Sequence, residues 1–299
     1  MNYKILFNGI KEIGCPVVWT FHDCWPFTGH CTHPVYTECE KWKEKCFKCS
    51  QTDYYPKSFI DRSESNFRKK KEIFLGLQNL HIVTVSDWLK NEVNQSFFKG
   101  KDIRRIYNGI DVDIFKPTQR SIIREKYNLT RKNIIILGVA SIWDERKGLY
   151  DFLKLKELLP ANYRIILVGL NKNQASKISS DIYTIERTDN IEELVDLYSE
   201  ADVFVNPSLA ETFGMTTAEA LSCGTPAVVY NTTACPELVD DNTGSVVKTG
   251  NIEEMANSII KLSSVNKTDI SMRCRERAVS LFSKKDRYQE YLNLYNELI

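Results

Sequence analysis

The feature that most constrains the fold is a regular alternation of short apolar runs and helical stretches from about residue 130 onward. Between the runs, apolar residues recur with helical spacing, as in Ile191, Leu194 and Tyr198, and Asn190 stands before them as a natural N-cap. Strands that alternate with helices indicate a parallel sheet covered on both faces, which predicts a Rossmann-like α/β domain. The runs that predict buried strands are 134–139, 164–168, 181–185, 203–205 and 227–230.

The first part of the chain contains similar elements that are further apart. Residues 17–21 and 82–85 predict strands that end at His22 and Ser86, and Ser86 is placed to cap a helix. The segment 24–60 between them is irregular, and loops of that length are usually functional or stabilised by a metal. A turn at 108–111 leads into a linker. We therefore predict an N-terminal domain over 1–117, a second domain over 118–283, and a C-terminal helix over 284–299 that packs back on the first domain.

Composition places few limits on function. Of 299 residues, 42% are hydrophobic and 26% are charged, and the net charge of +1 gives no overall attraction to nucleic acid. No apolar run approaches the roughly 20 residues that span a bilayer, and the first residues lack the pattern of a signal peptide. The expected location is the cytoplasm.

A pair of carboxylates marks the first candidate ligand site. The strand at 203–205 is followed by a loop that contains Glu211, and a helix that contains Glu219 begins near Gly214. Ligands of parallel sheets bind beyond the carboxyl ends of the strands, where a helix N-terminus attracts phosphate. Glu219 is placed to accept hydrogen bonds from ribose hydroxyls and Glu211 to reach a sugar. The alternative is that both carboxylates are solvated surface groups.

Two cations follow the strand at 134–139. Arg146 and Lys147 precede Gly148 and the start of a helix, where positive charge is unfavourable unless an anion binds. They predict a phosphate contact, and the alternative is an exposed basic pair. A second basic run, 68–71, reads as the solvated face of a helix or as a surface attracted to anionic lipid headgroups or a phosphorylated acceptor.

Two further features lie in the first domain. His22 follows a strand directly, which suits either a substrate contact or a structural hydrogen bond. Within the irregular segment, residues 31–49 contain four thiols near two histidines, and either a structural zinc ion or free or disulfide-paired cysteines is consistent with the spacing. These thiols belong to Cys31, Cys39, Cys46 and Cys49.

Several of these motifs together resemble retaining glycosyltransferases of family four. The run ETFGMTTAE from Glu211 to Glu219 is similar to the E-x7-E signature of that family, and the turn at Lys147-Gly148 to its phosphate-binding turn. The segments 108–117, 194–208, 224–226 and 235–244 match other parts of its pattern. The opening VVWTFHDCWPFTGHC looks like the branch that makes colanic acid and capsular polysaccharide. The resemblance implies the GT-B fold, which is two Rossmann-like domains with parallel sheets.

The resemblance also implies roles for individual residues. Glu219 would hold the ribose of the donor, Glu211 would contact the sugar, and Lys147 with Arg146 would neutralise the diphosphate as it leaves. His22 would lie across the cleft near the transferred sugar. Further contacts to phosphate and sugar would come from Phe213, Gly214, Met215 and Thr216.

The sequence departs from the family pattern in two ways. Ile142 stands where the family usually has an arginine, about five residues before Lys147. Only about 20 residues precede His22, so the resemblance implies an N-terminal domain that lacks its first strands.

The resulting hypothesis is a retaining glycosyltransferase that needs no metal for catalysis. It would move a sugar from a nucleotide diphosphate sugar to a growing cell-surface glycan or lipid-linked oligosaccharide, with peripheral association at the inner face of the membrane and no nucleic-acid partner. The alternatives are a truncated remnant that binds only the donor, and a nucleotide-sugar epimerase on the same fold.

Overall fold

The computed structural model describes residues 3–120 and 122–299. Contacts along the chain divide it into two compact units. The first contains the residues up to Tyr107 together with Tyr288–Ile299, and the second is Asn108–Arg287. None of the helices in the described residues combines the length and apolar character needed to span a membrane.

The first unit has a three-stranded parallel sheet in the order β1-β2-β3, with strands Val17–Phe21, Leu80–Thr84 and Asp102–Arg105. Aromatic rings fill the space beside β1, where Trp19 contacts Phe7 and Phe74 at centroid distances of 5.2 and 4.9 Å. Segment 24–60 has only single-turn 3-10 helices as regular structure. The α-helices of this unit that precede residue 108 are α1 Tyr3–Ile13, α2 Ser63–Leu75 and α3 Asp87–Gln95.

The last helix of the chain, α12 Lys284–Leu298, belongs to the first unit from Tyr288 onward. Leu294 packs in a buried cluster with Val83 and Ile106. The Tyr291 hydroxyl lies 3.0 Å from the Thr20 hydroxyl, so the C-terminal residues are fixed to the first sheet by both apolar and polar contacts.

The second unit has a six-stranded parallel sheet made of β4 Ile134–Val139, β5 Tyr163–Val168, β6 Ile182–Ile185, β7 Val203–Asn206, β8 Ala227–Tyr230 and β9 Gly244–Val247. Its strand order is β6-β5-β4-β7-β8-β9. Counted from β4, this is the 3-2-1-4-5-6 order of a doubly wound Rossmann sheet, whose order reverses between β4 and β7. The interior strands β7 and β8 are buried along their whole length, as expected for a sheet covered on both faces.

Eight helices of the second unit surround this sheet in the described residues. The predicted N-caps are confirmed: the Asn190 side chain accepts from the Glu193 amide before α7, as Ser86 does from Leu89 before α3. The eight are α4 Ile122–Lys126, α5 Leu149–Leu158, α6 Lys172–Ala175, α7 Ile191–Glu200, α8 Met215–Ser222, α9 Cys235–Leu238, α10 Ile252–Ser263 and α11 Lys267–Phe282.

Segment 108–117 lies with the second unit. The Arg275 guanidinium donates to the carbonyls of Phe115 at 2.6 Å and Val112 at 2.7 Å, and the Ser222 hydroxyl also donates to Phe115. Because these bonds fix the backbone of the segment, it is an ordered part of this unit.

Candidate functional site

Two loops meet at the point where the strand order of the second sheet reverses. One loop, 140–148, follows β4, and the other, 207–214, follows β7. The Leu209 amide donates to the Arg146 carbonyl at 2.7 Å, which joins the two loops. A Cβ atom at Gly148 would lie 2.3 Å from the Pro207 carbonyl oxygen, so only glycine permits this approach. The loops therefore form one surface at the carboxyl edge of the sheet, where α/β proteins bind ligands.

The first loop ends in a short turn that presents Lys147. The Asp144 side chain accepts from the Lys147 amide at 3.0 Å and caps a single 3-10 turn. Gly148 follows with φ of +72°, a left-handed conformation that suits glycine, and α5 begins at the next residue. This sequence of cap, turn and glycine places the lysine at the start of a helix.

Lys147 and Glu211 form a close ion pair across the two loops, between Nζ and Oε1. Both side chains are largely buried, at 22% and 12% exposure. The backbone of Glu211 is fixed as well, because its amide donates to the Thr233 hydroxyl at 2.9 Å and its carbonyl accepts from Ala234. The structure thus brings together the cation and the loop carboxylate that the sequence singled out.

Arg146 has a different environment from its neighbour. Its guanidinium donates to the Ala210 carbonyl at 2.9 Å and lies 3.8 Å from the Asp144 carboxylate. These contacts hold the second loop against the first. The side chain is 25% exposed, so it is not fully enclosed by these contacts.

Helix α8 begins at the same edge of the sheet. Gly214 precedes it with φ of +101° and supplies no side-chain cap, and Met215 is 40% exposed. Asn206, the last residue of β7, donates to the Thr217 hydroxyl at 3.0 Å and links the strand to the first turn of the helix. The predicted start of this helix between Gly214 and Thr216 is confirmed. Its eight residues place a helix N-terminus, with its partial positive charge, beside the loop that carries Glu211.

Glu219 projects from α8 toward α7. Its carboxylate accepts from the Tyr198 hydroxyl at 2.8 Å. Burial raises the pKa of Glu219 to about 7, and the Tyr198 hydrogen bond only partly opposes this effect. Tyr198 is fully buried, and sequence reasoning counted it only as an apolar residue of a helix face. The spacing of the helix gave no sign of its polar contact.

Phe213 is part of the core of the second unit. Its side chain is 3% exposed and its ring lies 5.4 Å from that of Phe282. The side chain therefore packs inside the unit. Of the donor contacts that the resemblance implies for Phe213, only a contact through its backbone stays a prediction.

In the first unit, His22 directly follows β1 and is exposed. The neighbouring Asp23 carboxylate accepts from the Trp25 amide at 2.7 Å, and burial raises its pKa. The loop that follows is held by Lys70, which donates to the carbonyls of Trp25 at 2.6 Å and Thr28 at 3.0 Å. Sequence reasoning placed Lys70 on a solvated face or a lipid-facing surface, and this is wrong for Lys70, whose side chain is 1% exposed. Arg68, Lys69 and Lys71 are exposed. All four residues of the run are cationic, so the sequence alone does not show which of them is buried.

Four of the cysteines of the irregular segment, Cys31, Cys39, Cys46 and Cys49, line one small cavity together with His30 and Trp42. The Gly29 amide donates to the Cys46 sulfur at 3.1 Å, and the side chains of Cys31 and Cys49 are hydrogen-bonded. All four are free cysteines. Within residues 3–120 and 122–299, no group of three or more His, Cys, Asp or Glu side chains is arranged to hold a metal ion. The thiols are neighbours, as zinc binding would require, but the ligand geometry is absent, and the zinc site stays a prediction.

Together, the strand order and the two loops define a Rossmann-type ligand site of the kind found in glycosyltransferases of the GT-B fold. Two family models match most of the chain between them, "Glycosyltransferase Family 4" over residues 4–114 and "Glycosyl transferases group 1" over residues 132–264. The chain belongs to the family-four glycosyltransferases.

Three relatives show which proteins the chain is similar to. The chain is 25% identical to the putative colanic acid biosynthesis glycosyl transferase WcaC of Escherichia coli K12, over 94% of this chain and 68% of that protein. It is 28% identical to the O-antigen chain mannosyltransferase RfbU of Salmonella typhimurium, over 59% of this chain and 48% of that protein. The N-acetyl-alpha-D-glucosaminyl L-malate synthase of Bacillus anthracis is matched over 62% of its length. The chain therefore spans about half to two thirds of the relatives that it matches.

Solved structures share the fold. Sucrose-phosphate synthase from Thermosynechococcus elongatus superposes with a TM-score of 0.72 at 22% identity, over 94% of this chain and 67% of that one. Anabaena HepE in complex with UDP-glucose gives a TM-score of 0.71 at 19% identity, over 95% and 72%. At these identities the likeness establishes the GT-B fold, which confirms the predicted fold class.

Proposed function

We propose that this chain transfers a sugar from a nucleotide diphosphate sugar to a growing cell-surface glycan or a lipid-linked oligosaccharide, in the cytoplasm at the inner face of the membrane. The observation that carries the proposal is the Lys147–Glu211 ion pair beside the N-terminus of α8, at the switch point of the second sheet. Support for the type of donor comes from HepE, which was solved with UDP-glucose. Support for the type of product comes from relatives named for colanic acid, O-antigen and capsular polysaccharide synthesis.

The proposed chemistry follows from the charges at this edge. Transfer separates an anionic diphosphate from a sugar that develops positive charge. Lys147 and the N-terminus of α8 would stabilise the leaving diphosphate, and a single fixed group of this kind is typically worth about 3 kcal/mol. Because these groups can supply the positive charge, we propose that the reaction needs no metal. Arg146, whose side chain is partly exposed, would add further positive charge.

We also propose a role for Glu211. When a diphosphate binds, its oxygens would take over the Lys147 ammonium, which releases the Glu211 carboxylate toward the sugar. Glu219 would accept hydrogen bonds from the ribose hydroxyls, supported by Tyr198. Backbone groups of residues 213–216 would contact phosphate and sugar, and His22 would contact the transferred sugar from the first unit.

We also propose that the anomeric configuration of the sugar is retained. Retention without a covalent intermediate requires the acceptor hydroxyl to attack from the face that the diphosphate leaves, with the leaving phosphate taking the proton. The resemblance to retaining family-four enzymes supports this course. Proton NMR of the first product formed from an α-linked donor is expected to show an α-linkage, and a β-linkage would refute retention.

The test of the proposed function is release of nucleoside diphosphate from a panel of nucleotide sugars, with and without a lipid-linked acceptor. Wild type is expected to release it faster with acceptor present. Lys147→Ala is expected to lower the rate about a hundredfold, in the range seen when one charge-stabilising donor is removed. Lys154→Ala, on an exposed lysine of α5, is the matched control and is expected to keep wild-type activity. Equal rates for Lys147→Ala and wild type would exclude the proposed role.

A further inference from the structure

A surface cavity of the first unit lies where the cysteine-containing segment meets the start of α2. It has a volume of about 910 Å³ and is lined by residues 45–48 and by residues from 61 to 71. The two segments are joined, because the Cys49 amide donates to the Asp61 carboxylate at 2.9 Å. The cavity is therefore built into the fold of this unit.

Positive charge dominates the lining. The cavity contains five cationic side chains and two carboxylates, and all five cations belong to exposed residues. None of the five forms an ion pair with any residue that the structure describes. One of the two carboxylates, that of Asp61, accepts from the amides of Cys49 and Ser63, which offsets part of its charge. The cations are Lys45, Lys48, Arg62, Arg68 and Lys71.

An exposed apolar segment borders the same cavity. Phe59 is 99% exposed and Ile60 is 62% exposed, and they directly precede the cavity residues Asp61 and Arg62. Tyr55, in the same loop, is 82% exposed. Large apolar side chains at nearly full exposure are unfavourable in water, and a group of them beside cations marks an interaction surface.

The cations and the exposed apolar side chains together indicate the kind of partner that this surface fits. A soluble phosphate or sugar phosphate would satisfy the cations but leave Phe59 and Ile60 in water. An aliphatic side chain such as that of Ile60 also offers no stacking surface to a nucleic-acid base. The interface of an anionic bilayer satisfies both parts, because phosphate headgroups pair with lysine and arginine while apolar side chains enter the acyl boundary.

We propose that this surface, residues 45–48 and 55–71, docks the protein on the anionic face of a phospholipid bilayer. Arg68 and Lys71 of α2 and Lys45 and Lys48 of the loop contact headgroups, and Phe59 with Ile60 inserts between them. The inference deepens the proposed location at the membrane, but it involves no residue of the donor site. Vesicle binding and sugar transfer can therefore succeed or fail separately.

Vesicle sedimentation of the full chain tests the proposal. We expect binding to vesicles of phosphatidylglycerol and phosphatidylcholine in equal parts, and none to phosphatidylcholine alone. Each cation near the surface contributes about fivefold to affinity, so Lys45→Gln/Lys48→Gln/Lys71→Gln is expected to weaken binding about a hundredfold. The matched control is Lys132→Gln/Lys154→Gln/Lys177→Gln, which removes the same charge from exposed lysines of the second unit and is expected to bind as wild type does.

Apolar insertion is tested separately with Phe59→Ser. We expect Phe59→Ser to bind vesicles more weakly than wild type does, and we expect this difference in affinity to persist at high salt. Salt screens the lysine contribution to binding but not the contribution from burial of a ring. Met272→Ser, which changes an exposed apolar residue of the second unit, is the control and is expected to leave binding unchanged. The proposal is overturned if wild type does not bind the anionic vesicles, if both lysine variants lose affinity equally, or if Phe59→Ser binds as tightly as wild type.

Discussion

At the scale of single residues, Glu219 combines a cost in stability with a proposed role in binding. Its carboxyl group is enclosed between α8 and α7, and burial raises its pKa from an ordinary 4.5 to about 7. The folded protein therefore holds this proton more tightly than the unfolded chain. The stabilisation that comes from keeping Glu219 protonated is fully present below pH 4.5. It is lost as the pH rises through 7, because the buried carboxyl then has to ionise at a cost in stability.

This sign leads to a prediction for Glu219→Gln. The amide cannot ionise and still accepts from Tyr198, so at pH 8 the variant is expected to unfold with a free energy higher than wild type by on the order of 2 kcal/mol. At pH 4 the two are expected to be equally stable, as measured by urea unfolding. Glu276→Gln, on an exposed residue of α11, is the control and is expected to show little change at either pH. A gain for Glu219→Gln that does not depend on pH would show that the carboxyl is not buried as described.

The same substitution is expected to weaken ligand binding. A carboxylate accepts two hydroxyl bonds more strongly than an amide does. We therefore expect Glu219→Gln to bind a nucleoside diphosphate at least tenfold more weakly at pH 8, as measured by titration calorimetry. Undiminished affinity in the more stable variant would separate Glu219 from the ribose.

At the scale of elements, the turn between β4 and α5 depends on Gly148. Its backbone is left-handed, which favours glycine, and an added Cβ would lie 2.3 Å from the Pro207 oxygen. Both features exclude a side chain at this position. We expect Gly148→Ala to move loop 140–148 away from loop 207–214 and to weaken nucleotide binding. Gly250→Ala is the matched control, because Gly250 has φ of +77° but no atom within 4 Å of an added Cβ. It is expected to cost only about 1 kcal/mol of stability. Equal losses for both would mean that backbone strain, and not contact between the loops, governs the turn.

Elements also show how far sequence patterns lead. The strands at 134–139 and 227–230 were predicted with their observed bounds, because central strands of a parallel sheet are continuous apolar runs. The edge strand β3 was missed, since its sequence DIRR contains a single buried residue. β9 was missed as well, because only the first and last of its four residues are buried.

The site followed the same rule. The sequence indicated that Lys147 and Glu211 lie at one edge of the sheet, because each belongs to a loop that follows a strand and is close to a glycine, and their role in binding stays a prediction. The burial of Lys70 and the Tyr198 contact to Glu219 could not be predicted, since both arise from the packing of segments far apart in sequence.

At the scale of the whole molecule, the division into two units makes the location of ligand binding testable. A ligand that binds only the folded state stabilises it by about 2.7 kcal/mol at a hundredfold excess over its Kd. With a nucleoside diphosphate bound, we expect hydrogen exchange to slow in loops 140–148 and 207–216 of the second unit. Lys147→Ala is expected to remove this protection. Unchanged exchange in both loops in the presence of a binding nucleotide would place the site elsewhere.

The central claim is that Lys147 binds the diphosphate of the donor. The most direct measurement is the Kd of the full chain for UDP, GDP and ADP by titration calorimetry, for wild type, Lys147→Ala and Lys154→Ala. We expect at least one of the three nucleotides to bind wild type and Lys154→Ala equally, and Lys147→Ala to bind it at least tenfold more weakly. Binding of that nucleotide to Lys147→Ala with wild-type affinity, or no binding of any of the three to wild type, would contradict the claim.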